Sequence, residues 1–248
     1  MGIALDVLLV IPAYCEEDRL PGFLDELIPM LSPLPTKIGL LIVDDGSPIS
    51  SQKKLQNYLS RQIKNAPHLL LEPLYLKENL GKGGAIASGW STDIKAKWLA
   101  FVDADGAVPP YEIKRLIQLI KKIPPHTAIF ASRIKMLGKK IDRTLLRHLL
   151  GRVFATSVGT LINENVYDTQ CGFKIIPYAS WQKMKHLVQE KSFAFDVELL
   201  ALLEHMGISV QEEPIDWRDI AGSKVNVLDD GIKMFQAIIR LRQRKKEW

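Results

Sequence analysis

Leu5–Leu31 reads LDVLLVIPAYCEEDRLPGFLDELIPML. Leu5 to Ile11 is a near-continuous aliphatic run ending at Pro12, the pattern of a strand buried on both faces of a parallel sheet. In Arg19 to Leu31, the residues Leu20, Phe23, Leu24, Leu27, Ile28 and Leu31 then recur at helical spacing. A strand followed at once by a helix is the repeating unit of α/β folds.

The unit recurs. Ile38 to Val43 is apolar and stops at Asp44-Asp45-Gly46-Ser47, and Lys53 to Ile63 then reads as helical. Leu69 to Leu76 precedes Asn79-Leu80-Gly81-Lys82-Gly83-Gly84 and a helix through Trp90. Trp98 to Val102 is a fourth strand, ending at Asp103-Ala104-Asp105, and Tyr111 to Lys121 is its helix. Ala128 to Ala131 is a fifth strand, ending at Ser132-Arg133. This alternation predicts a doubly wound, Rossmann-like, mostly parallel sheet with helices on both faces. Ligands of such sheets sit beyond the carboxyl ends of the strands, where the polar groups of this chain converge.

The second half is less regular. Ile141 to Ile162 carries an apolar helical stripe with Lys140, Arg143 and Arg147 on another face, Ala194 to Met206 reads as helix, Ile208 to Ile215 as strand and Val227 to about Arg244 as a closing helix. No internal repeat or flexible linker interrupts the 248 residues, of which 47% are apolar and 25% charged. That composition excludes a disordered chain and suits one folded domain.

Several function classes drop out. The longest stretch without Asp, Glu, Lys or Arg is Val153 to Asn163, well short of the roughly 20 apolar residues that span a bilayer. The run from Leu5 to Tyr14 lacks a basic leader and a small-residue cleavage site, so the expected location is the cytoplasm. Cys15 and Cys171 form no C-x-x-C pair and are expected to be free thiols, and the five histidines lack metal-ligand spacing.

Charge is uneven along the chain. Arg133 to Arg152 holds seven basic residues and one acid, which exceeds the net +5 of the whole protein, and Arg240 to Lys246 adds a second basic cluster. A basic helix with an apolar stripe suits an anionic membrane surface and equally suits a core helix with a solvated back. Nucleic acid is disfavoured, because no aromatic residues interleave with the charges.

Chemistry concentrates at two acidic turns. Asp103 and Asp105 leave a strand end together; alternation would oppose them, but a turn at Gly106 can bring both to one Mg²⁺ or Mn²⁺, whose remaining ligands would be water and phosphate. Alone, such a pair serves equally well as loop carboxylates capping the next helix. Asp44-Asp45-Gly46-Ser47 can accept hydrogen bonds from a ribose or a base, or simply make a strand-to-helix turn. Gly81-Lys82-Gly83-Gly84 matches neither a dinucleotide fingerprint nor a P-loop, although its glycines could let Lys82 approach a phosphate.

Taken in order, V-I-P-A-Y-C-E-E (10–17), V-D-D-G-S (43–47), N-L-G-K-G-G-A (79–85), F-V-D-A-D-G-A (101–107), A-S-R (131–133), D-T-Q-C-G-F-K (168–174), F-A-F-D-V-E (193–198) and W-R-D-I-A-G-S-K (217–224) resemble glycosyltransferase family 2, of GT-A fold, and within it the polyprenyl-phosphate and dolichyl-phosphate hexose synthases. The resemblance implies one domain over 1–248, with 1–133 binding a nucleotide-sugar donor and 134–248 a polyprenyl-phosphate acceptor. It implies that Pro12, Tyr14, Glu16 and Asp44 or Asp45 hold the nucleoside, with Lys82 nearby, and that Asp103 and Asp105 bind the diphosphate through Mg²⁺ or Mn²⁺. It makes Arg133, Arg147 and Lys224 the cations aimed at donor and acceptor phosphates, and lines the sugar and acceptor pocket with Asp168, Gln170, Asp196 and Glu198.

Two departures matter. Cys15 stands where the family usually has Asn, and Ala107 where mannosyl relatives often have a Gln ligand, which with D-T-Q-C-G-F-K leans toward glucose from UDP-glucose. GDP-mannose is the alternative donor. With no membrane helix, contact with a lipid acceptor falls to 135–162 and the basic C-terminus, peripheral on the cytoplasmic membrane face. A sugar-hydroxyl acceptor would instead require a carboxylate base, for which Asp196, Glu198 and Asp168 are the candidates. A nucleotide-sugar-binding protein without turnover is the reading from another class, and it predicts a damaged metal or phosphate site.

Overall fold

The computed structural model describes residues 5–134, 136–141, 166–220, 236, 237, 239–245 and 248. Its strands are β1 (Leu5–Ala13), β2 (Ile38–Asp44), β3 (Leu74–Tyr75), β4 (Ala96–Val102), β5 (Thr127–Ser132), β6 (Phe173–Pro177) and β7 (Ser209–Pro214). They form one sheet in the order β3-β2-β1-β4-β6-β5-β7. The helices are α1 (Leu20–Leu31), α2 (Ile49–Asn65), α3 (Lys82–Trp90), α4 (Pro110–Leu119), α5 (Tyr178–Met184) and α6 (Phe195–His205), with further helical residues within 236–244.

The aliphatic run of β1 lies mid-sheet, parallel to both β2 and β4, which is why every residue from Val7 to Ile11 is buried. Its alternation divides the core. Val7, Leu9 and Ile11 pack with Leu20, Leu24 and Leu27 of α1, Leu55 and Leu59 of α2 and Ile113 and Leu116 of α4. Leu8 and Val10 face the other way, against Ile86 and Trp90 of α3, Trp181 of α5 and Phe195 and Leu199 of α6. Helices thus cover both faces, as expected. Burial of so many Leu, Ile and Val side chains, at about 1.5–3 kcal/mol each relative to exposure, supplies the main stabilisation.

Two elements differ from the sequence reading. Leu69 to Leu76 is not a continuous strand: Leu70 makes an isolated bridge to Leu40 and only Leu74–Tyr75 pairs with β2. Pro73 stands between them and has no N–H to continue the ladder. The second difference is β6, which inserts antiparallel between β4 and β5 and makes the sheet mixed. Lys174 sits fully buried at the second position of this short strand and interrupts the apolar signal by which a core strand is recognised. The amphipathic segment 142–162 and most of the predicted closing helix lie outside the described residues. No helix of the described residues is long and apolar enough to cross a membrane.

Cys15, just past β1, is the one non-glycine residue with positive φ among the described residues, at +52°, and its N–H donates to Ser47 Oγ at 2.9 Å. Left-handed backbone costs a residue with a Cβ roughly 1–2 kcal/mol, and asparagine tolerates it best after glycine. Cys15→Asn is therefore expected to raise the urea midpoint by an amount worth about 0.5–1 kcal/mol, and Cys15→Val, β-branched, to lower it by about 1 kcal/mol or more. Equal midpoints for both variants would contradict this.

Candidate active site at the strand ends

The carboxyl ends of β1, β2 and β4 and the start of α3 surround a cavity of about 430 Å³, lined by Pro12, Tyr14, Glu16, Asp45, Lys82, Asp103 and Asp105 together with Arg19, Asn79, Gly81, Ser192 and Phe193. A second cavity of about 210 Å³ adjoins it and shares Lys82, Asp103, Asp105 and Phe193; its other walls include Arg133, Gln170, Asp196, Gly172 and Trp217. The two carboxylates of D-A-D therefore stand where the cavities meet. The turn at Gly106, with φ +72°, brings them there despite the strand alternation that would have opposed them.

Asp44 and Asp45 divide the work of their turn. Asp44 is buried and accepts from Ser47 N–H and Gln52 Nε2, both at 2.9 Å, so it shapes the turn and does not line the cavity. Asp45 lines it, and its carboxylate accepts from the N–H groups of Leu80 and Gly81 at 2.7 and 2.8 Å. This fixes the loop that opens α3. Burial raises the Asp45 carboxyl above the usual carboxylate range against the effect of those two hydrogen bonds. Gly81 is required there, since φ is +84° and a Cβ would lie 2.6 Å from Lys191 O. Glu16 is ion-paired with Arg19 at 2.5 Å.

Inward from the cavities runs an alternating line of charge. Lys82 Nζ lies 2.8 Å from Asp103 Oδ1 and 3.4 Å from Asp196 Oδ2. Lys174 Nζ, with no solvent exposure, is 2.5 Å from Asp196 Oδ1 and donates to Cys171 O at 2.8 Å. The two ammonium groups sit 5.1 and 5.2 Å from the centroid of the Phe101 ring. Burial alone would lower the Lys82 pKa, but Asp103 and Asp196 outweigh it and hold the amine firmly protonated. At Asp105 burial, then the neighbouring Asp103 charge, push the carboxyl up, against the Ala107 N–H it accepts at 3.0 Å and the weaker pull of Arg19 and Lys82. The Cys171 thiol is pushed up to about 12 by burial, with Asp168 adding to it, and is chemically inert.

Arg133 at the end of β5 lines the second cavity, and Asp168 holds it as a fork, accepting from Nε at 2.7 Å and Nη2 at 2.8 Å. Its guanidinium carbon is 5.6 Å from the Trp217 ring centroid. Burial opposes the charge, yet Asp168 raises the Arg133 pKa further. Asp168 thus acts behind Arg133 and is not itself a cavity wall. Gln170 donates to Phe193 O at 3.2 Å.

Glu198 departs from its expected place. Fully buried, it accepts from the N–H groups of Gln189 and Glu190 and pairs with Arg244, so it fixes the segment that carries Ser192 and Phe193 and lines neither cavity. Arg147 and Lys224 lie outside the described residues. Asn79, Phe193 and Trp217 belong to the motifs quoted above, although no role was read for them; Arg19 and Ser192 carried no sequence signal. Gly172 was also unread: its missing Cβ would fall 2.1 Å from Asp103 Oδ2, so only glycine leaves room for that carboxylate.

The chain is similar to several known proteins. Dolichyl-phosphate beta-glucosyltransferase of Dictyostelium discoideum is 32% identical over 95% of this chain and 73% of its own length. The Saccharomyces cerevisiae protein of the same name is also 32% identical, over 94% and 73%. Among solved structures, glucosyl-3-phosphoglycerate synthase from Mycobacterium tuberculosis, in complex with Mn²⁺, UDP-glucose and phosphoglyceric acid, superposes with a TM-score of 0.66 at 14% identity, over 97% of this chain and 79% of that one. It shares the fold. The model of glycosyl transferase family 2 matches residues 8–183, from the first buried strand through the acidic strand ends to α5, and this chain belongs to that family.

Proposed function

We propose that the protein is an inverting hexosyltransferase that moves glucose from UDP-glucose to a dolichyl or other polyprenyl phosphate. The observation that carries the choice of acceptor is the state of the carboxylates. A hydroxyl acceptor needs a base to take its proton in the transition state. Asp196 lies between Lys82 and Lys174, Asp168 is forked by Arg133 and Glu198 is paired with Arg244, so each candidate base is already committed to a cation. A phosphate monoester, with a second pKa near 6, is largely ionised at neutral pH and attacks without one.

In this reading Pro12, Tyr14, Glu16 and Asp45 receive the nucleoside in the larger cavity, and Arg133 holds an anion in the adjoining one. An acceptor phosphate oxygen attacks the anomeric carbon, the bond to the diphosphate breaks, and UDP departs with inversion.

The acidic pair fits a divalent cation. Asp105 is a half-buried carboxylate whose charge is opposed by burial and by Asp103, both groups offer hard oxygen donors, and Gly172 leaves the space Asp103 needs. No third His, Cys, Asp or Glu joins them among the described residues, which leaves positions for phosphate and water. Asp103 and Asp105 would hold Mg²⁺ or Mn²⁺, whose contribution is to neutralise charge on the leaving diphosphate.

Membrane contact is assigned to the loop after β5, where Met136 is 51% exposed and Leu137 fully exposed beside the exposed Lys140. The loop returns to the site through Lys140 O, which accepts from Trp217 N–H at 2.9 Å. Leu137→Glu is expected to reduce co-sedimentation with anionic vesicles by about half or more, since it replaces apolar surface with like charge. Unchanged co-sedimentation would contradict the assignment.

The activity is tested with UDP-[¹⁴C]glucose, polyprenyl phosphate and Mn²⁺. Label should enter the butanol-extractable lipid, and Asp105→Asn should lower this by about 100-fold or more. The rate should rise through about pH 6 and then level, following ionisation of the acceptor. Label recovered only in water-soluble product, or full activity of Asp105→Asn, would overturn the proposal.

A further inference from the structure

We infer that Lys82 is a tethered place-holder for the divalent cation: its ammonium occupies Asp103 until metal and nucleotide arrive together, and is then handed to Asp196. This rests on the metal reading above and adds an order of binding to it.

Exposure to solvent falls steadily along the charged line. The Asp103 side chain is 34% exposed, Lys82 14%, Asp196 3% and Lys174 0%, so one end opens on the cavities and the other is sealed. Lys82 stands between two carboxylates, at 2.8 Å from the outer one and 3.4 Å from the inner. A cation binding Asp103 must displace this ammonium or share the carboxylate with it, and two positive centres on one carboxylate repel strongly away from bulk water. Asp103 cannot yield instead. Its carboxylate is pressed against Gly172, and its N–H is bonded to Gly172 O at 2.9 Å. Lys82 is the member free to shift, over less than the length of one hydrogen bond, to a carboxylate it already touches.

Lys174 makes the receiving end dependable. Buried and bonded to Asp196 and to Cys171 O, it holds that carboxylate in position without covering the oxygen that faces Lys82. Asp103, Asp105 and Asp196 against Lys82 and Lys174 leave one negative charge in excess. A divalent ion alone reverses that sign, whereas a divalent ion with a diphosphate does not. The arrangement therefore disfavours metal without nucleotide and admits the two together.

The test is titration of the full chain with Mn²⁺ alone, followed by the EPR signal of the free aqueous ion, with and without UDP. The wild type is expected to bind Mn²⁺ weakly alone and more tightly with UDP. Lys82→Gln keeps a hydrogen-bond donor and removes the charge, and should bind Mn²⁺ alone about tenfold tighter or more. Lys82→Arg, which keeps the charge, should stay weak. Asp196→Asn removes the receiving charge and should reduce the tightening by UDP. Equal or weaker Mn²⁺ binding by Lys82→Gln overturns the inference, as does an Asp196→Asn variant that responds to UDP like the wild type. If Lys82→Gln does not fold, the Arg and Asn variants decide it: strong binding of Mn²⁺ alone by Lys82→Arg, or a normal UDP response in Asp196→Asn, is then the contrary result. Absence of UDP-linked Mn²⁺ binding in wild type and Asp105→Asn alike would reject the metal reading itself, and the hand-off with it.

Discussion

Charge buried inside a protein is tolerated only when it is paired, because desolvation of a lone ion costs several kcal/mol and loss of one partner of a buried pair about 3–5. The line from Asp103 through Lys82 and Asp196 to Lys174 obeys that constraint and organises the site around it. Lys174 is fixed by the strand it belongs to and Asp196 by Lys174, while Lys82 is shared between the two carboxylates. Asp105, at the junction of the two cavities, is the carboxylate that burial and the Asp103 charge push up.

The topology exists to make this line possible. β6 runs antiparallel between β4 and β5, with Phe101 paired to Lys174 across the ladder, so the ammonium enters the core beside the aromatic rings of Phe101 and Phe130. The turn before it sets Gly172 against Asp103. At the start of α6, Asp196 stands in the first helical turn, where a negative charge is favoured by the exposed N–H groups. One strand inserted against the general direction of the sheet thus ties the later part of the chain to the sheet built by the first.

Much of this was legible in the residues. Strands with unbroken aliphatic runs, β1, β2 and β4, announce themselves, and the acids and glycines that follow mark their carboxyl ends. The sequence could not separate Asp44 from Asp45, since adjacent residues differ only in which way the turn aims them. It hid β6, because a lysine at the second of five positions breaks the apolar pattern, and its partner Asp196 is 22 positions away. Glu198 shared the motif of Asp196 yet faces the backbone of 189 and 190, since two residues along a helix point to roughly opposite sides. The tightness around Gly172 is a property of two distant segments and has no local signature.

The central claim is that Asp103 and Asp105 take one divalent cation with the nucleotide while Lys82 moves inward. Crystals grown with UDP and Mn²⁺ and measured at the manganese absorption edge test it most directly. The account requires a single anomalous peak within coordination distance of both carboxylates, with Lys82 Nζ closer to Asp196 than to Asp103. A peak elsewhere, or a lysine still seated on Asp103 beside a bound ion, would contradict it.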